Sequence, residues 1–223
     1  MPESIGASPN GSKNTENWSV KNMKKPVVLL ILLSMMSLLI AGCGGDQKNS
    51  GSGNDNDSGI HHAEIDIKDY GVIKVELNAK AAPITVENFM DLAKEGFYDG
   101  TTFHRIMTGF MIQGGAPAGD KNGGSAYTIK GEFKNNGIMN GISHTRGTIS
   151  MARPGDDMDG ASSQFFIMHK DDTGIDGNYA GFGHVTEGME IVDKICQDTP
   201  VEDSNGTVLP ENQPVINTIR IID

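Results

Sequence analysis

Side chains able to do chemistry are few and scattered in this 223-residue chain. Gly160-Ala161-Ser162-Ser163-Gln164 lacks the Gly-x-Ser-x-Gly spacing of a nucleophile elbow, so serine hydrolysis is without its main signal. His104, His144, His169 and His184 show no metal-ligand spacing, and the adjacent pair His61-His62 supplies too few ligands for a metal. Cys196 falls among apolar neighbours on an expected helix face, the setting of a packed thiol rather than a nucleophile. Gly114-Gly115 and Gly123-Gly124 do not open a helix after a strand, as a phosphate cradle requires. What stands out is the run Phe103-His104-Arg105-Ile106-Met107-Thr108-Gly109-Phe110-Met111-Ile112-Gln113-Gly114-Gly115. It sets one permanently charged guanidinium and one carboxamide among aromatic and aliphatic side chains, a combination able to donate hydrogen bonds beside an apolar surface.

Those residues need a scaffold, and the composition supports one. Hydrophobic residues make up 37%, and 29 glycines bring the total to an ordinary globular fraction. The 18 basic and 29 acidic side chains leave a net charge of −11, which argues against nucleic acid as a partner. Ile65 and Ile67, then Ile73, Val75 and Leu77, alternate around Asp69-Tyr70-Gly71 and predict a β-hairpin with one buried face. Val86, Phe89, Met90 and Ala93, behind Pro83 and ahead of Gly96, have helical spacing. Residues 97–183 hold short apolar runs broken by glycines, which fits strands linked by tight turns. A second helix is expected over Glu187–Gln197 and a last strand over Val215–Ile222. Many short strands, two helices and a strand at each end predict one domain, 60–223, built as a closed antiparallel barrel.

The first 59 residues read as an address. Lys21, Lys24 and Lys25 precede the apolar run Val27–Ile40, which ends in Ala41-Gly42-Cys43, the order of a secretory signal. Leu39-Ile40-Ala41-Gly42-Cys43 resembles the lipobox of bacterial lipoproteins, and that resemblance implies a signal peptide within 1–42 and a lipid on Cys43. Met23 before two lysines is the better start of such a signal. Residues 43–59 contain no apolar side chain after Cys43 and are expected to be a flexible tether. With Cys43 lipidated, Cys196 is the one thiol left, so no disulfide supports the fold and a core must. Residues 1–42 hold four lysines and two glutamates, which leaves 14 basic and 27 acidic groups, net −13, over 44–223. The expected arrangement is an acidic body standing off a bacterial membrane, outside the cytoplasm, on a lipid anchor.

The run from Phe103 to Gly115 resembles the signature of cyclophilins, the peptidyl-prolyl cis–trans isomerases or rotamases. So do Ala82-Pro83-x-Thr85-Val86-x-Asn88-Phe89, Gly96-Phe97-Tyr98-Asp99-Gly100, Ser162-Ser163-Gln164-Phe165-Phe166-Ile167, Ile175-Asp176-Gly177 and Phe182-Gly183-His184-Val185, in the same order. The resemblance covers about 65–222. It implies an all-β-dominated fold, an eight-stranded antiparallel barrel capped by two helices, and activity without cofactor or metal. It also implies that Arg105 and Gln113 are catalytic and that Phe110, Met111, Phe166 and Ile175 form a pocket for the proline ring. Ala152, Arg153, Gln164 and Tyr179 would complete the substrate groove.

This chain departs from the familiar members at several of these positions. Ala116 stands where many carry Asp, Arg153 where they have Asn, and Tyr179 in place of a pocket histidine. Gly174 replaces the tryptophan of the pocket rim, so weak binding of cyclosporin-type macrocycles is expected. Segment 153–161 is one residue longer than in those members. The leading expectation is a monomeric, lipid-anchored isomerase that acts on proline-containing polypeptides and assists folding of secreted or surface proteins. The alternative is a non-catalytic module that binds proline-containing segments of a surface partner.

Overall fold

The structure is a computed structural model that describes residues 59–117 and 122–223. The expected signal peptide, the lipidation at Cys43 and the tether up to residue 58 lie outside the described residues. Gly59 already belongs to the folded body: it is buried, and its carbonyl accepts a 2.7 Å hydrogen bond from Ala79 N.

Period-two alternation produces the hairpin as expected. Strand β1 (Ile60–Ile67) pairs with β2 (Gly71–Asn78), with Ile67 opposite Gly71. Asp69 takes a φ of 65° in the turn, a conformation that aspartate tolerates better than most residues. Ala63, Ile65 and Ile67 from β1 and Ile73, Val75 and Leu77 from β2 go to one buried face.

Helix α1 (Pro83–Lys94) starts on proline but has no cap of its own. The buried carboxylate of Glu132 supplies one from far along the chain. It accepts from Ile84 N at 3.1 Å, Thr85 N at 2.8 Å and Thr85 Oγ1 at 2.7 Å, satisfying N–H groups that the helix leaves open. At the other end, Gly96 N bonds Ala93 O at 3.0 Å and Phe97 N bonds Leu92 O at 2.9 Å, closing the last turn.

The middle of the chain supplies β3 (Thr102–Met107), β4 (Met111–Ala116), β5 (Thr148–Met151), β6 (Phe165–Met168) and β7 (Ala180–Glu187). After helix α2 (Met189–Asp198) comes β8 (Ile216–Ile221). The second helix begins two residues later than expected. Gly188, at φ 95°, turns the chain where a Cβ would lie 2.9 Å from Val72 O, and Glu187 stays in β7 with an ion pair of 2.8 Å to Lys74.

All strand pairs are antiparallel, in the order β3-β4-β6-β5-β7-β2-β1-β8. The eight antiparallel strands and two helices are those that the family resemblance implies, but the barrel is not the fully closed one expected. Its last seam is a short join rather than a ladder. The bridge Thr102–Val215 is flanked by Phe103 N to Pro214 O at 2.9 Å and Ile216 N to Thr101 O at 2.8 Å.

Phe89 of α1 plugs the barrel, its ring 5.2–5.5 Å from those of Tyr98, Phe165 and Phe182, all fully buried. Truncating such a ring to a methyl group costs about 3–5 kcal/mol, so a core of this kind holds the domain without cross-links. Cys196 is buried on α2, and burial pushes its thiol up to about 11. Among the described residues no helix is long and apolar enough to cross a membrane.

Candidate active site

A second apolar cluster sits apart from the barrel core, and strand geometry explains it. Successive side chains of a strand point to opposite faces. In β6, Phe165 and Ile167 enter the barrel core, whereas Phe166 and Met168 join Met111 of β4 and Ala152 in a separate buried cluster. Met107, Phe110, Ile175 and Tyr179 pack against that cluster. Both faces of β5 and β6 are therefore buried.

Antiparallel register lines up a row across four strands. Arg105 of β3 stands opposite Gln113 of β4, Gln113 opposite Phe166 of β6, and Phe166 opposite Ser150 of β5. A guanidinium, a carboxamide and an aromatic ring are thereby set side by side at strand spacing.

The guanidinium is braced on three sides. Arg105 Nε donates to Asn205 O at 2.8 Å, Nη1 to Gln113 Oε1 at 3.2 Å and Nη2 to Met107 Sδ at 3.0 Å. Gln113 is itself held, donating through Nε2 to Gln164 Oε1 at 2.9 Å, and Gln164 Nε2 donates to Gly123 O at 2.7 Å. This relay orients the Gln113 carbonyl toward the arginine.

Arg105, Gln113, Phe110, Met111, Ala152, Arg153, Phe166, Ile175 and Tyr179 line one cavity of about 510 Å³. Gln164 lines an adjoining cavity of about 440 Å³ that shares Gln113, Asn122, Ala152 and Arg153 with the first. The structure thus brings the expected groove residues together; Cys43 lies outside the described residues.

Arg153 is built into the wall rather than left as a loose charge. Its Nε donates to Asn178 O at 3.0 Å and its Nη1 to Pro154 O, Gly155 O and Asp157 O at 2.9–3.3 Å. The guanidinium also lies 4.9 Å from the Phe133 ring centroid and 5.2 Å from that of Tyr179. The N–H of Ala152 is taken by Gln164 O at 2.8 Å. Gly174 is exposed in the turn Thr173–Ile175, its N–H bound by the Asp172 side chain at 3.0 Å.

Two features of the site have roles that the sequence alone does not reveal. Asp203, Asn205 and Thr207 also line the cavity, on a segment that the Asn205-Gly206 turn signal marks only as loop. The other is His144, which props the cluster from behind. Its fully buried ring is held by Asp176 Oδ1 at 2.7 Å and Ser150 Oγ at 3.0 Å, and it stacks on Phe166 at 5.9 Å with a 19° interplanar angle. Tyr179 meets Phe166 edge-on at 5.6 Å. Partial burial tends to raise the Asp176 carboxyl, but hydrogen bonds from Ser143 and from the backbone and ring of His144 outweigh it and hold the group below the ordinary carboxylate range.

Comparison with known proteins agrees with this geometry. The family model "Cyclophilin type peptidyl-prolyl cis-trans isomerase/CLD" matches residues 62–222. Peptidyl-prolyl cis-trans isomerase B of Bacillus subtilis is 44% identical over 145 residues, 65% of this chain and 92% of that protein. Peptidyl-prolyl cis-trans isomerase A of Dickeya dadantii is 40% identical over 158 residues, 68% and 80% of the two chains. A crystal structure of a Cryptosporidium parvum cyclophilin type peptidyl-prolyl cis-trans isomerase is similar with a TM-score of 0.65 and 29% identity, covering 74% of this chain and 98% of that one. The same enzyme in the presence of the dipeptide Ala-Pro gives a TM-score of 0.63 at 28% identity, with 73% and 99% covered.

Replacing Asp176 with alanine strands a buried imidazole nitrogen, and urea unfolding at neutral pH is expected to show a loss of about 1–3 kcal/mol. The pH dependence has a definite sign. A carboxyl whose folded pKa lies below its unfolded value of about 3.9 contributes fully above that value and loses its contribution as pH falls through the folded pKa. The acid limb of the stability curve is therefore expected to be shallower in Asp176→Ala than in the wild type below about pH 4.

Proposed function

The chain belongs to the cyclophilin-type peptidyl-prolyl cis–trans isomerases, and on that premise we propose that Arg105 and the apolar cup beside it run the rotation. Isomerase activity comes with the family; the roles of individual residues are our reading. An amide C–N bond resists rotation by about 18–20 kcal/mol because the nitrogen lone pair is delocalised into the carbonyl. Before proline both isomers are populated, yet uncatalysed exchange takes tens to hundreds of seconds. The reaction makes and breaks no covalent bond, so acceleration consists of binding the twisted amide better than either planar form.

Phe110, Met111, Phe166 and Ile175 clasp the proline ring and fix one half of the rotor. Twisting localises the lone pair on the prolyl nitrogen, and the Arg105 guanidinium donates a hydrogen bond to it there. Gln113 holds the guanidinium in register and meets the substrate backbone, while Ala152, Arg153, Gln164 and Tyr179 border the path of the peptide. The observation that carries this reading is a guanidinium braced by Asn205 O, Gln113 and Met107 at the wall of the apolar cavity. A module that only bound proline-containing segments would have no need of so positioned a charge. The physiological task we propose is to assist folding of secreted or surface proteins, as a monomer held outside the cytoplasm by a lipid on Cys43.

The rate of X–Pro isomerisation in a short peptide tests the mechanism. Arg105→Ala is expected to lower kcat by about 10²-fold or more with the thermal unfolding midpoint retained, since one donor to transition-state charge is worth that much. Equal rates would remove Arg105 from the mechanism, and a wild-type rate no faster than the uncatalysed exchange would favour the binding-module reading instead. With Gly174 at the rim, inhibition by a cyclosporin-type macrocycle is expected only well above nanomolar concentrations, and nanomolar potency in a titration refutes this. Fatty-acid labelling of the protein in a bacterial host is expected to vanish in Cys43→Ala; label that persists removes the anchor from the proposal.

A further inference from the structure

The loop between α2 and β8 reaches the site through a turn organised by one carboxylate. Residues 203–208 lie along the outer edge of β3. Ile106 N donates to Gly206 O at 2.8 Å, Val208 N to His104 O at 3.1 Å, and Arg105 forms a bridge with Thr207. These contacts bracket Arg105 on its own strand. Between them the chain makes a tight knot around Asp203. Asp203 Oδ1 accepts from Asn205 N at 2.9 Å and Thr207 N at 3.1 Å, and Oδ2 accepts from Thr207 Oγ1 at 3.0 Å. Gly206 N donates to Asp203 O at 3.0 Å, and Thr207 O accepts from Glu202 N at 2.8 Å. Gly206 is required at the apex: its φ is 79°, and a Cβ there would lie 2.2 Å from Ile106 O.

The knot faces the arginine. It presents the Asn205 carbonyl to Arg105 Nε at 2.8 Å. A free arginine side chain samples many rotamers, and a donor acts on a transition state only when it is already in place. Gln113 and Met107 each hold one of the terminal nitrogens. The Asn205 carbonyl alone holds Nε, the atom nearest the stem, and so sets the plane of the guanidinium.

We infer that Asp203 is a positioning residue for isomerisation: by folding residues 203–207 into a turn it aims the Asn205 carbonyl at Arg105 Nε and holds the guanidinium in its working plane. The inference rests on the proposed role of Arg105. It concerns a residue that acts through another, so its signature is a loss in kcat that exists only while Arg105 is present.

The test measures kcat and KM on an X–Pro peptide for the wild type, Asp203→Ala, Asp203→Asn, Thr207→Val, Arg105→Ala and the double variant Asp203→Ala/Arg105→Ala. Asp203→Ala is expected to lower kcat roughly ten- to a hundredfold, the scale of a misplaced catalytic group, with KM changed less than about twofold. Asparagine keeps an oxygen for the two backbone N–H groups, so Asp203→Asn should recover most of the rate. Thr207→Val removes one donor from the knot without touching the core and should lose a few-fold, which decides the matter if Asp203→Ala does not fold. The double variant should be no slower than Arg105→Ala. In the NMR spectrum the Arg105 Nε–H should be protected from solvent exchange in the wild type and lose that protection in Asp203→Ala. Undiminished kcat in both Asp203→Ala and Thr207→Val, a loss carried wholly by KM, or a loss that persists undiminished without Arg105 overturns the inference. If Arg105→Ala itself keeps the wild-type rate, the proposed mechanism falls first, and the two failures are told apart.

Discussion

A strand presents side chains to two faces, and in β5 and β6 both faces are buried. Everything distinctive about this molecule follows from that constraint. Phe165 and Ile167 fill the barrel, so Phe166 and Met168, their neighbours in sequence, must face the other way. An apolar outer face cannot stand open to water at no cost, and the segments carrying Phe110, Ile175 and Tyr179 fold over it until a cup remains. The cup is thus a by-product of packing the sheet on both sides, and its floor is the reverse face of a strand that also packs into the core.

The same register that makes the floor delivers the polar wall. Because Arg105, Gln113 and Phe166 are direct cross-strand neighbours, no loop has to carry the charge to the apolar surface. Loops instead tune it. Segment 203–207 holds one edge of the guanidinium, and the Gln164–Gly123 contact orients the amide that holds another. Arg153, which from its type alone reads as a charge offered to substrate, is largely occupied by the carbonyls of its own loop and by Asn178. His144 repeats the pattern at the back of the site, where Asp176 and Ser150 hold the ring on which Phe166 rests.

Legibility varied with how local the cause was. The β1–β2 hairpin, the α1 span and the short central strands were readable because alternation, helical spacing and glycine or proline punctuation act within a few residues. The start of α2 differs from the expected one because the deciding fact is the closeness of Val72 O in β2 to Gly188 ahead of the helix, a contact between segments distant in sequence. The cap of α1 was invisible for the same reason: Glu132 lies 47 residues from the Thr85 it serves. The groove residues became nameable only through family resemblance, since periodicity alone cannot say which of Phe165 and Phe166 turns inward.

The amino-acid sequence by itself determined the fold class, short strands with two helices, and the kinds of groups available for chemistry. Hydrophobic period and turn residues are short-range properties, written where they act. Tertiary structure alone decided which face of β6 became the cup, that Arg153 would serve the wall, and that a carboxylate at 203 would stand behind the guanidinium at 105. Those outcomes depend on how the sheet curls and on what packs against each of its faces. Tertiary folding brings Arg105 and Asn205 together across 100 positions, and no pattern along a line encodes which residues will meet.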